Sequence, residues 1–376
     1  MLRVFGRGLT RWILLAVGLA LSTGDMAGAG ERWSKEEAIA WYARQPWLVG
    51  CNFAPSTASN QLEMWQSDTF DPETIDRELG WAEELGFNSV RVFLHNLLWD
   101  QDREEFLQRV DQFLAIADKH GIGTVLVPFD GVWDPYPKPG AQRQPVPHRH
   151  NSRWLQAPGA AILGDPKRHA ELRPYVYGVI HHFRDDERID AWDLFNEPDN
   201  GNPAYAKVEL KNKAEMATML LRDAFAWARE AEPTQPLTAG VWGGQWPSDE
   251  RLKPIEKLSL DESDIISFHN YGPLADVKLR VEQLERYGRP ILCTEYMARA
   301  NGSRFDPILE YFKEQKVGAY NWGFVSGRSQ TIYPWDSWVK KYDSEPELWF
   351  HDIFRTDGAP YDPAEVAYIK RTAGAE

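Results

Sequence analysis

The stretch DPETIDRELGWAEELGFNSVRVFL, residues 71–94, decides the fold of this chain. Asp71 and Pro72 are typical of a helix start, because Asp caps free backbone N–H groups and Pro fits the first turn. An apolar face follows at helical spacing: Ile75, Leu79, Ala82 and Leu85. Gly86 ends the predicted helix, and the run SVRVFL has the composition of a buried strand. This helix and strand predict one repeating unit of an α/β protein.

The same alternation of apolar runs and helical patterns continues along the chain from Trp47. Eight runs are predicted as strands, at residues 47–53, 89–94, 124–129, 190–196, 236–242, 264–270, 290–296 and 318–325. Eight strands are the number that closes a parallel sheet into a barrel. No low-complexity tract or linker separates the units. We therefore predict the α/β class and a single (β/α)8 TIM barrel formed by residues 30–376.

The longest irregular segment runs from Asp130 to about Asp165, after the third predicted strand. A loop of this length in a compact domain is usually functional or disordered. Its aromatic residues Trp133, Tyr136 and Trp154 favour an ordered segment. Because barrel enzymes build their sites from the loops that follow the strands, we expect this loop to form one wall of a cleft.

The N-terminal residues 1–29 have the pattern of a secretory signal peptide. Arg3, Arg7 and Arg11 precede a short apolar stretch, and small residues follow at 27–29. We expect cleavage after Ala29, which predicts a secreted or periplasmic protein. An uncleaved anchor is the alternative, although the stretch is shorter than the ~20 residues that span a bilayer.

Charge and cysteine content limit the partners of the chain. The formal charge is −14, and removal of residues 1–29 takes away three Arg and one Asp, which gives −16. Such an acidic chain argues against nucleic acid or an anionic membrane as partner. Cys51 and Cys293 fall in strands one and seven, which are not neighbours in a barrel, so we expect two free buried thiols.

Two glutamates end apolar runs: Glu197 in WDLFNEP, residues 192–198, and Glu295 in PILCTEY, residues 290–296. A buried carboxylate without partners costs several kcal/mol, so the positions point to function rather than to folding. Parallel strands four and seven deliver both groups to the same edge of the sheet. Paired carboxylates that face a cleft are the machinery of glycoside hydrolysis.

These motifs carry a family resemblance. Asn196-Glu197-Pro198 at the end of strand four, together with Glu295 at the end of strand seven, resembles the clan A glycoside hydrolases. The pattern is most similar to the cellulase-type glycoside hydrolase family 5, from about Trp47 to Ile369. The resemblance implies a retaining enzyme that cleaves β-glycosidic bonds by double displacement, with Glu197 as acid/base and Glu295 as nucleophile. We expect no cofactor. We also expect no metal, because His148 and His150, like His181 and His182, lack a further ligand at the spacing of a metal site.

The resemblance also assigns supporting residues. Asn196 corresponds to the asparagine that binds the sugar 2-hydroxyl, Arg91 to the arginine beside the nucleophile, and Tyr271 to the tyrosine that binds it. Trp322 has the position of the tryptophan beneath the catalytic sugar. His269 shares a strand face with Tyr271 and is expected to hold substrate or Glu197. His95 and Asn96 after strand two are further candidates for sugar contacts, with Asn52, Trp99 and residues 329–335 as weaker ones.

Several alternatives stay open at this stage. A transglycosylase uses the same carboxylate pair, an inactive barrel could only bind carbohydrate, and an inverting enzyme would need a carboxylate separation beyond ~6.5 Å. The expected partner is a β-linked polysaccharide or oligosaccharide of the xylan, glucan or mannan type. A blind cleft would favour cleavage at chain ends and an open groove internal cleavage. The sequence decides neither this nor the oligomeric state.

Overall fold

The computed structural model describes residues 30–375, which form a parallel eight-stranded sheet rolled into a barrel. The strands are β1 Val49–Asn52, β2 Ser89–Phe93, β3 Gly123–Val127, β4 Ile189–Asp193, β5 Leu237–Thr238, β6 Ile266–His269, β7 Ile291–Tyr296 and β8 Gly318–Asn321. Their spatial order is β5-β4-β3-β2-β1-β8-β7-β6. This order ends at β5 and β6, and a parallel bridge between Val241, which follows β5, and Phe268 of β6 closes the barrel. The predicted fold is confirmed.

Eleven helices are present in residues 30–375, and most of them surround the barrel. They are α1 Lys35–Ala43, α2 Gln61–Trp65, α3 Pro72–Glu84, α4 Asn96–Lys119, α5 Ala160–Leu163, α6 Arg173–His182, α7 Lys213–Glu230, α8 Pro254–Glu262, α9 Leu274–Glu285, α10 Phe305–Glu314 and α11 Pro363–Ala373. Short 3-10 turns lie at Pro166–Leu172, Pro203–Tyr205, Asp249–Arg251, Arg299–Asn301 and Trp335–Trp338. None of the helices in this part of the chain is long and apolar enough to cross a membrane.

The helix-strand unit at residues 71–94 forms as its sequence predicts. The Asp71 carboxylate accepts a hydrogen bond from the backbone N–H of Thr74 at 3.0 Å, which caps α3. Ile75, Leu79 and Ala82 are buried against the barrel. Gly86 has a φ of +81°, a left-handed conformation that an L-residue adopts only with strain, and so the chain turns into β2 at this residue.

Several strand ends differ from the prediction; the eighth strand, for example, ends at Asn321 and not at residue 325. The fourth strand leaves the main sheet after Asp193, and Phe195–Asn196 pair instead with Phe129–Asp130 in a separate short ladder. The fifth strand stops at Thr238, because the N–H of Ala239 donates to the Ser263 hydroxyl at 3.0 Å rather than to a neighbouring strand. The chain therefore becomes irregular where the barrel mouth begins.

The opposite end of the barrel is closed by α1. Ala38 and Trp41 of this helix form a buried cluster with barrel residues, including Val125, Leu292 and Tyr320. Ser34 and Glu37 make a reciprocal capping box that fixes the start of the helix. Cys51 and Cys293 are free and buried, as predicted. The predicted signal peptide, residues 1–29, lies outside the described residues.

Candidate active site

A cavity of about 860 Å³ opens at the barrel mouth, where the strands end. It contains both glutamates singled out in the sequence, Glu197 just after β4 and Glu295 in β7. Asn196, His269, Tyr271 and Trp322 line it as well. The other lining residues are Val132, Trp133, His150, Asn151, Trp154, Asn200 to Ala204, Trp242, Asn270, Trp335, Asp336, Trp338 and Val339.

Arg91 of β2 organises the floor of this cavity. Its Nη1 donates to Asn52 Oδ1 at 2.8 Å and to Glu295 Oε1 at 3.0 Å. Its Nε donates to Asp193 Oδ2 at 3.0 Å, and its Nη2 to Asn196 Oδ1 at 2.7 Å. Burial lowers the pKa of Arg91, but the carboxylates of Asp193 and Glu295 have the larger combined effect, so the pKa is raised. A fixed cation therefore lies beside Glu295, and the pairing of Arg91 with Asp193 is part of the same network.

Glu295 is held through both of its oxygens. Arg91 contacts Oε1, and the Tyr271 hydroxyl donates to Oε2 at 2.7 Å. Burial is the largest influence and raises the pKa of Glu295, while Arg91 and Tyr271 act in the opposite direction. Burial and the charge of Glu295 raise the pKa of Tyr271 well above its ordinary value, so the phenol remains a hydrogen-bond donor.

The hydrogen-bond partners of the Glu197 carboxyl group, His269 and Asn200, are both neutral. His269 Nδ1 lies 2.8 Å from Oε1, and the Asn200 side-chain amide donates to Oε2 at 2.6 Å. Burial raises the pKa of Glu197 to about 7 and lowers that of His269 to about 4, so the imidazole is neutral near pH 7. When the two glutamates share one proton, the charge belongs on Glu295, beside its cation and phenol, and the proton on Glu197.

The backbone of Glu197 is strained. Its φ of +40° lies in the left-handed region, which costs a non-glycine residue on the order of 1–3 kcal/mol. Gly131 makes this position possible, because a Cβ atom at Gly131 would lie 2.2 Å from the Glu197 carbonyl oxygen. Such strain is typical of residues whose direction matters for function.

The two carboxylates are close enough for a retaining mechanism. Glu197, Glu295 and His269 each place one ligand-type atom within 4.8 Å of the others. Retaining glycosidases have carboxyl groups ~5–5.5 Å apart, whereas inverting enzymes need ~6.5–9.5 Å to admit a water molecule. The same three groups have the composition of a metal site, but the guanidinium of Arg91, 3.0 Å from Glu295, opposes a second cation there.

Asp130 supports the site residue Asn196, although it was not among the residues predicted from the sequence. It follows β3, and its Oδ1 accepts from the Asn196 amide at 3.0 Å. Its Oδ2 accepts from Trp154 Nε1 at 2.6 Å and from Gln61 Nε2 at 3.1 Å. Burial raises the pKa of Asp130 to about 7 against these hydrogen bonds. Like the two glutamates, Asp130 is a carboxylate at the end of an apolar run, so the same signal could have identified it.

His95 does not line the cavity. The ring is completely buried, with Nε2 at 3.0 Å from the Gln156 carbonyl and Nδ1 accepting from the N–H of Leu97 at 3.1 Å. It caps α4, so the expected sugar contact has no room to form. Asn96 and Trp99 also lie outside the lining, whereas Asn52 supports Arg91 and Trp335 reaches the cavity.

The model for the cellulases, glycosyl hydrolase family 5, matches residues 52–328. The chain belongs to this family. The resemblance drawn from Asn196-Glu197-Pro198 and Glu295 is thereby confirmed.

Individual relatives are more distant. The mannan endo-1,4-beta-mannosidase F of Aspergillus clavatus is 24% identical over 237 residues, which are 56% of this chain and 48% of the relative. Matches to the curated relatives span 18–48% of their own lengths. Among solved structures, GH5_18 of Bifidobacterium longum has a TM-score of 0.59 at 16% identity and covers 87% of this chain and 79% of its own. Exo-beta-1,4-mannosidase Op5Man5 of an Opitutaceae bacterium has a TM-score of 0.57 at 18% identity, with 87% and 59% covered.

Proposed function

We propose that this protein is a retaining β-glycoside hydrolase that acts on β-1,4-linked substrates of the mannan type. The observation that carries the proposal is the carboxylate pair: Glu197 and Glu295 face one cavity with oxygens less than 5 Å apart and in opposite electrostatic surroundings. One carboxyl is held neutral and the other ionised, which is the division of roles that double displacement requires. Cavity-lining aromatic residues offer flat faces to sugar rings.

In the first step, Glu295 attacks the anomeric carbon while Glu197 transfers its proton to the departing glycosidic oxygen. The leaving alcohol departs, and a covalent glycosyl ester with Glu295 remains. Loss of the negative charge on Glu295 removes one reason for Glu197 to stay protonated, so its pKa falls. In the second step, Glu197 takes a proton from water, the water oxygen bonds to the anomeric carbon, and the C–O bond to Glu295 breaks. The product keeps the β configuration.

The side chains around the pair support these steps. Arg91 and Tyr271 stabilise Glu295 when it is a carboxylate, both before attack and on release. Asn196 is fixed by Arg91 on its oxygen and by Asp130 on its nitrogen, which leaves the second amide hydrogen for a sugar hydroxyl. Trp322 is edge-on to Phe93 at 5.7 Å and offers a stacking surface to the sugar.

The choice of mannan over glucan or xylan rests on the named relatives. The curated relatives that match this chain are mannan endo-1,4-beta-mannosidases of Aspergillus and rice. Similar folds belong to mannan-acting proteins and also to a beta-glucosidase. The same cavity chemistry accepts any β-linked pyranoside, so the sugar must be tested directly.

The test compares the chain with its Glu295→Ala variant on β-linked mannan, glucan and xylan oligosaccharides, with products followed by NMR as they form. We expect the wild type to release β-anomers from mannosides first and the variant to release none. Initial α-anomer would contradict the retaining mechanism, and faster cleavage of glucosides or xylosides would contradict the sugar assignment. Equal melting temperatures of the two proteins would show that the variant is folded.

We further propose that residues 1–29 direct export of the protein and are cleaved after Ala29. The basic start and short apolar stretch of the sequence support this. The test is cell fractionation of a bacterial host that expresses the full chain or a chain beginning at Gly30. We expect only the full chain to leave the cytoplasm, with Gly30 as its first residue by mass spectrometry. Retention of the full chain in the cytoplasm, or in the membrane at full mass, would contradict the proposal.

A further inference from the structure

The cavity has one closed side. Among the described residues, those that line it come from β6 and β7 themselves and from the segments after β3, β4, β5, β6 and β8, and none comes from β1, β2 or the segments after them. Residues 52–54 and Phe93, at the ends of β1 and β2, border a separate cavity of only about 20 Å³. Asn151, Trp154 and Trp322 line both spaces and therefore form the partition between them.

This partition is rigidly built. Trp154 packs edge-on against Phe93 with ring centroids 5.3 Å apart, and against Trp322 at 5.6 Å. Trp154 is also fixed at its polar end, because Nε1 donates to Asp130 at 2.6 Å. A sugar chain that enters the cavity cannot continue towards the ends of β1 and β2 without displacing this aromatic cluster.

A clamp between two loops completes the closed side. Trp133, in the loop after β3, stacks on Trp338, in the loop after β8, with centroids 5.3 Å apart. Trp338 Nε1 donates to the His150 carbonyl at 2.8 Å. The Gln330 side chain accepts from the N–H of His148 at 2.7 Å and donates to the Val146 carbonyl at 2.8 Å. The two loops thus hold each other in place, and Asn151 and Ser329 from them line the small space at the ends of β1 and β2.

The chemistry determines which end of the substrate lies against the closed side. After the first step the glycone, the sugar whose anomeric carbon is attacked, remains bonded to Glu295. The leaving group must depart and water must reach Glu197 while that bond exists. A leaving group at the closed side would be trapped behind the glycosyl-enzyme. The glycone therefore occupies the closed side, and the rest of the chain extends past Glu197 towards the open rim near Asn200 and Trp242.

We infer that the enzyme is exo-acting and removes one terminal sugar at a time from the non-reducing end of its substrate. This inference rests on the proposed hydrolase function and adds the position of cleavage. Because Trp154 and Trp322 separate the cavity from the small space at the ends of β1 and β2, we expect a terminal glycone and no further sugar on this side of the carboxylates. The loop of residues 130–165, expected from the sequence to form a wall, is the main part of the barrier.

The first test uses β-1,4-mannohexaose that carries a fluorescent tag at its reducing end. Early products are identified by mass spectrometry, when less than about a tenth of the substrate is consumed. We expect untagged mannose and tagged pentaose as the first products. Tagged products of one to four sugars at this stage would overturn the inference while leaving the hydrolase function intact. If mannosides are not cleaved, the same tagged experiment is done with whichever β-linked oligosaccharide the protein does cleave. If it cleaves none, both the proposed hydrolase function and the inferred exo action fail.

The second test asks whether the clamp causes the restriction. Trp338→Ala removes the stacking partner of Trp133 and the hydrogen bond to His150. We expect internal cleavage of tagged mannohexaose to rise at least tenfold relative to terminal cleavage. The matched control is Trp227→Ala, which removes a half-buried tryptophan on the outer helix α7. An unchanged product pattern in a folded Trp338→Ala protein, judged by circular dichroism, would contradict the role of the clamp.

Discussion

In the proposed mechanism, the proton on Glu197 controls the first chemical step. Burial raises the pKa of Glu197 to about 7, and only its acid form can protonate the leaving oxygen. As the pH rises through that pKa the group loses its proton, so kcat/KM should fall above about pH 7. We expect Glu197→Gln to abolish this decline and to lower kcat/KM on oligosaccharides by about 10²–10⁴-fold.

The measurement is the pH dependence of kcat/KM for both proteins. The variant is also assayed by burst kinetics on a dinitrophenyl β-mannoside. The dinitrophenolate leaving group of this substrate needs no protonation, so the glycosylation burst should persist in Glu197→Gln. A decline above pH 7 that is equally present in the variant would assign the titration to another group.

We propose that Asp130 positions Asn196, whose amide donates to Asp130 Oδ1 at 3.0 Å. All four of its hydrogen-bonding partners are N–H donors, so Asp130→Asn would place an amide donor against other donors. We expect Asn196 to shift and kcat/KM to fall by about tenfold to a hundredfold, the size of effect that follows from misplaced substrate contacts. The measurement is kcat/KM on a mannoside and on its 2-deoxy analogue, since loss of the 2-hydroxyl contact should affect the first substrate only.

Asp190→Asn provides the matched control for Asp130. Asp190 is also a carboxyl whose pKa is raised by burial, to about 6, but it contacts Ser89 at the start of β2. Similar losses of activity in both variants, or equal losses on the two substrates, would show a general folding defect instead of a positioning role.

Single site residues could be predicted where a polar residue directly follows the apolar run of one strand. Glu197, Glu295 and Asn196 could be placed because each follows an apolar run. His95 also follows such a run, yet its ring turns back to cap α4, and that choice depends on the Gln156 carbonyl, 61 residues away in the chain. Asn200, which contacts Glu197, lies in an irregular segment that has no periodicity to reveal the direction of its side chain.

At the scale of elements, the close approach of the segments after β3 and β4 positions Glu197. Gly131→Ala would place a Cβ atom 2.2 Å from the Glu197 carbonyl oxygen, which belongs to the backbone and cannot rotate away. We expect a loss of at least about a hundredfold in kcat/KM, because displacement of a catalytic group by about 1 Å has effects of this size. The measurement is steady-state kinetics together with thermal unfolding.

The control for this substitution is Gly243→Ala. A Cβ atom at Gly243 meets only the flexible Lys253 side chain, at 3.9 Å, and the residue does not line the cavity. We expect its activity to match that of the wild type. Full activity in Gly131→Ala would mean that the two segments can separate without moving Glu197.

Elements were predicted well where periodicity is local. Asp71 and Pro72 mark the start of α3 and Gly86 follows its end, so the helix could be located from one continuous stretch of sequence. The fifth strand was predicted as one continuous run, but its regular pairing is interrupted after Thr238, where the N–H of Ala239 donates to the Ser263 hydroxyl, and resumes only at Val241. Apolar content indicates burial, whereas regular pairing also depends on whether a side chain takes up a backbone N–H.

For the whole molecule, buried carboxyl groups should make stability depend on pH. Burial raises the pKa of Glu78 on α3 to about 7, from an ordinary value near 4.5. Between these values the folded state binds more protons than the unfolded state, so the free energy of unfolding falls as pH rises from about 5 to 8. Glu78→Gln should reduce this fall by about 1–3 kcal/mol.

Urea denaturation at pH 5 and pH 8 measures this difference. The matched control is Glu73→Gln, an exposed glutamate on the same helix, which should keep the pH dependence of the wild type. If Glu78→Gln loses as much stability as the wild type between the two pH values, proton uptake by Glu78 does not contribute.

The barrel as a whole could be predicted because eight apolar runs and their order suffice to define it. The closed side of the cavity could not, because it depends on contacts such as that between Gln330 and His148, which are 182 residues apart. The sequence indicates that the loop of residues 130–165 is rich in aromatic residues. That this loop meets the loop after β8 follows only from contacts in the fold, such as the packing of Trp133 on Trp338.

The clamp between the loops after β3 and β8 also means that two properties of the molecule, its reaction and the length of substrate it accommodates, depend on different residues. The carboxylates lie in or just after barrel strands, whereas Trp133 and Trp338 lie in the loops after β3 and β8. Mutation or exchange of these loops would therefore change how much of a polymer the protein accommodates while its reaction stays the same. Related proteins with a shorter or a longer loop would then accept substrates of different lengths and cleave them by the same reaction.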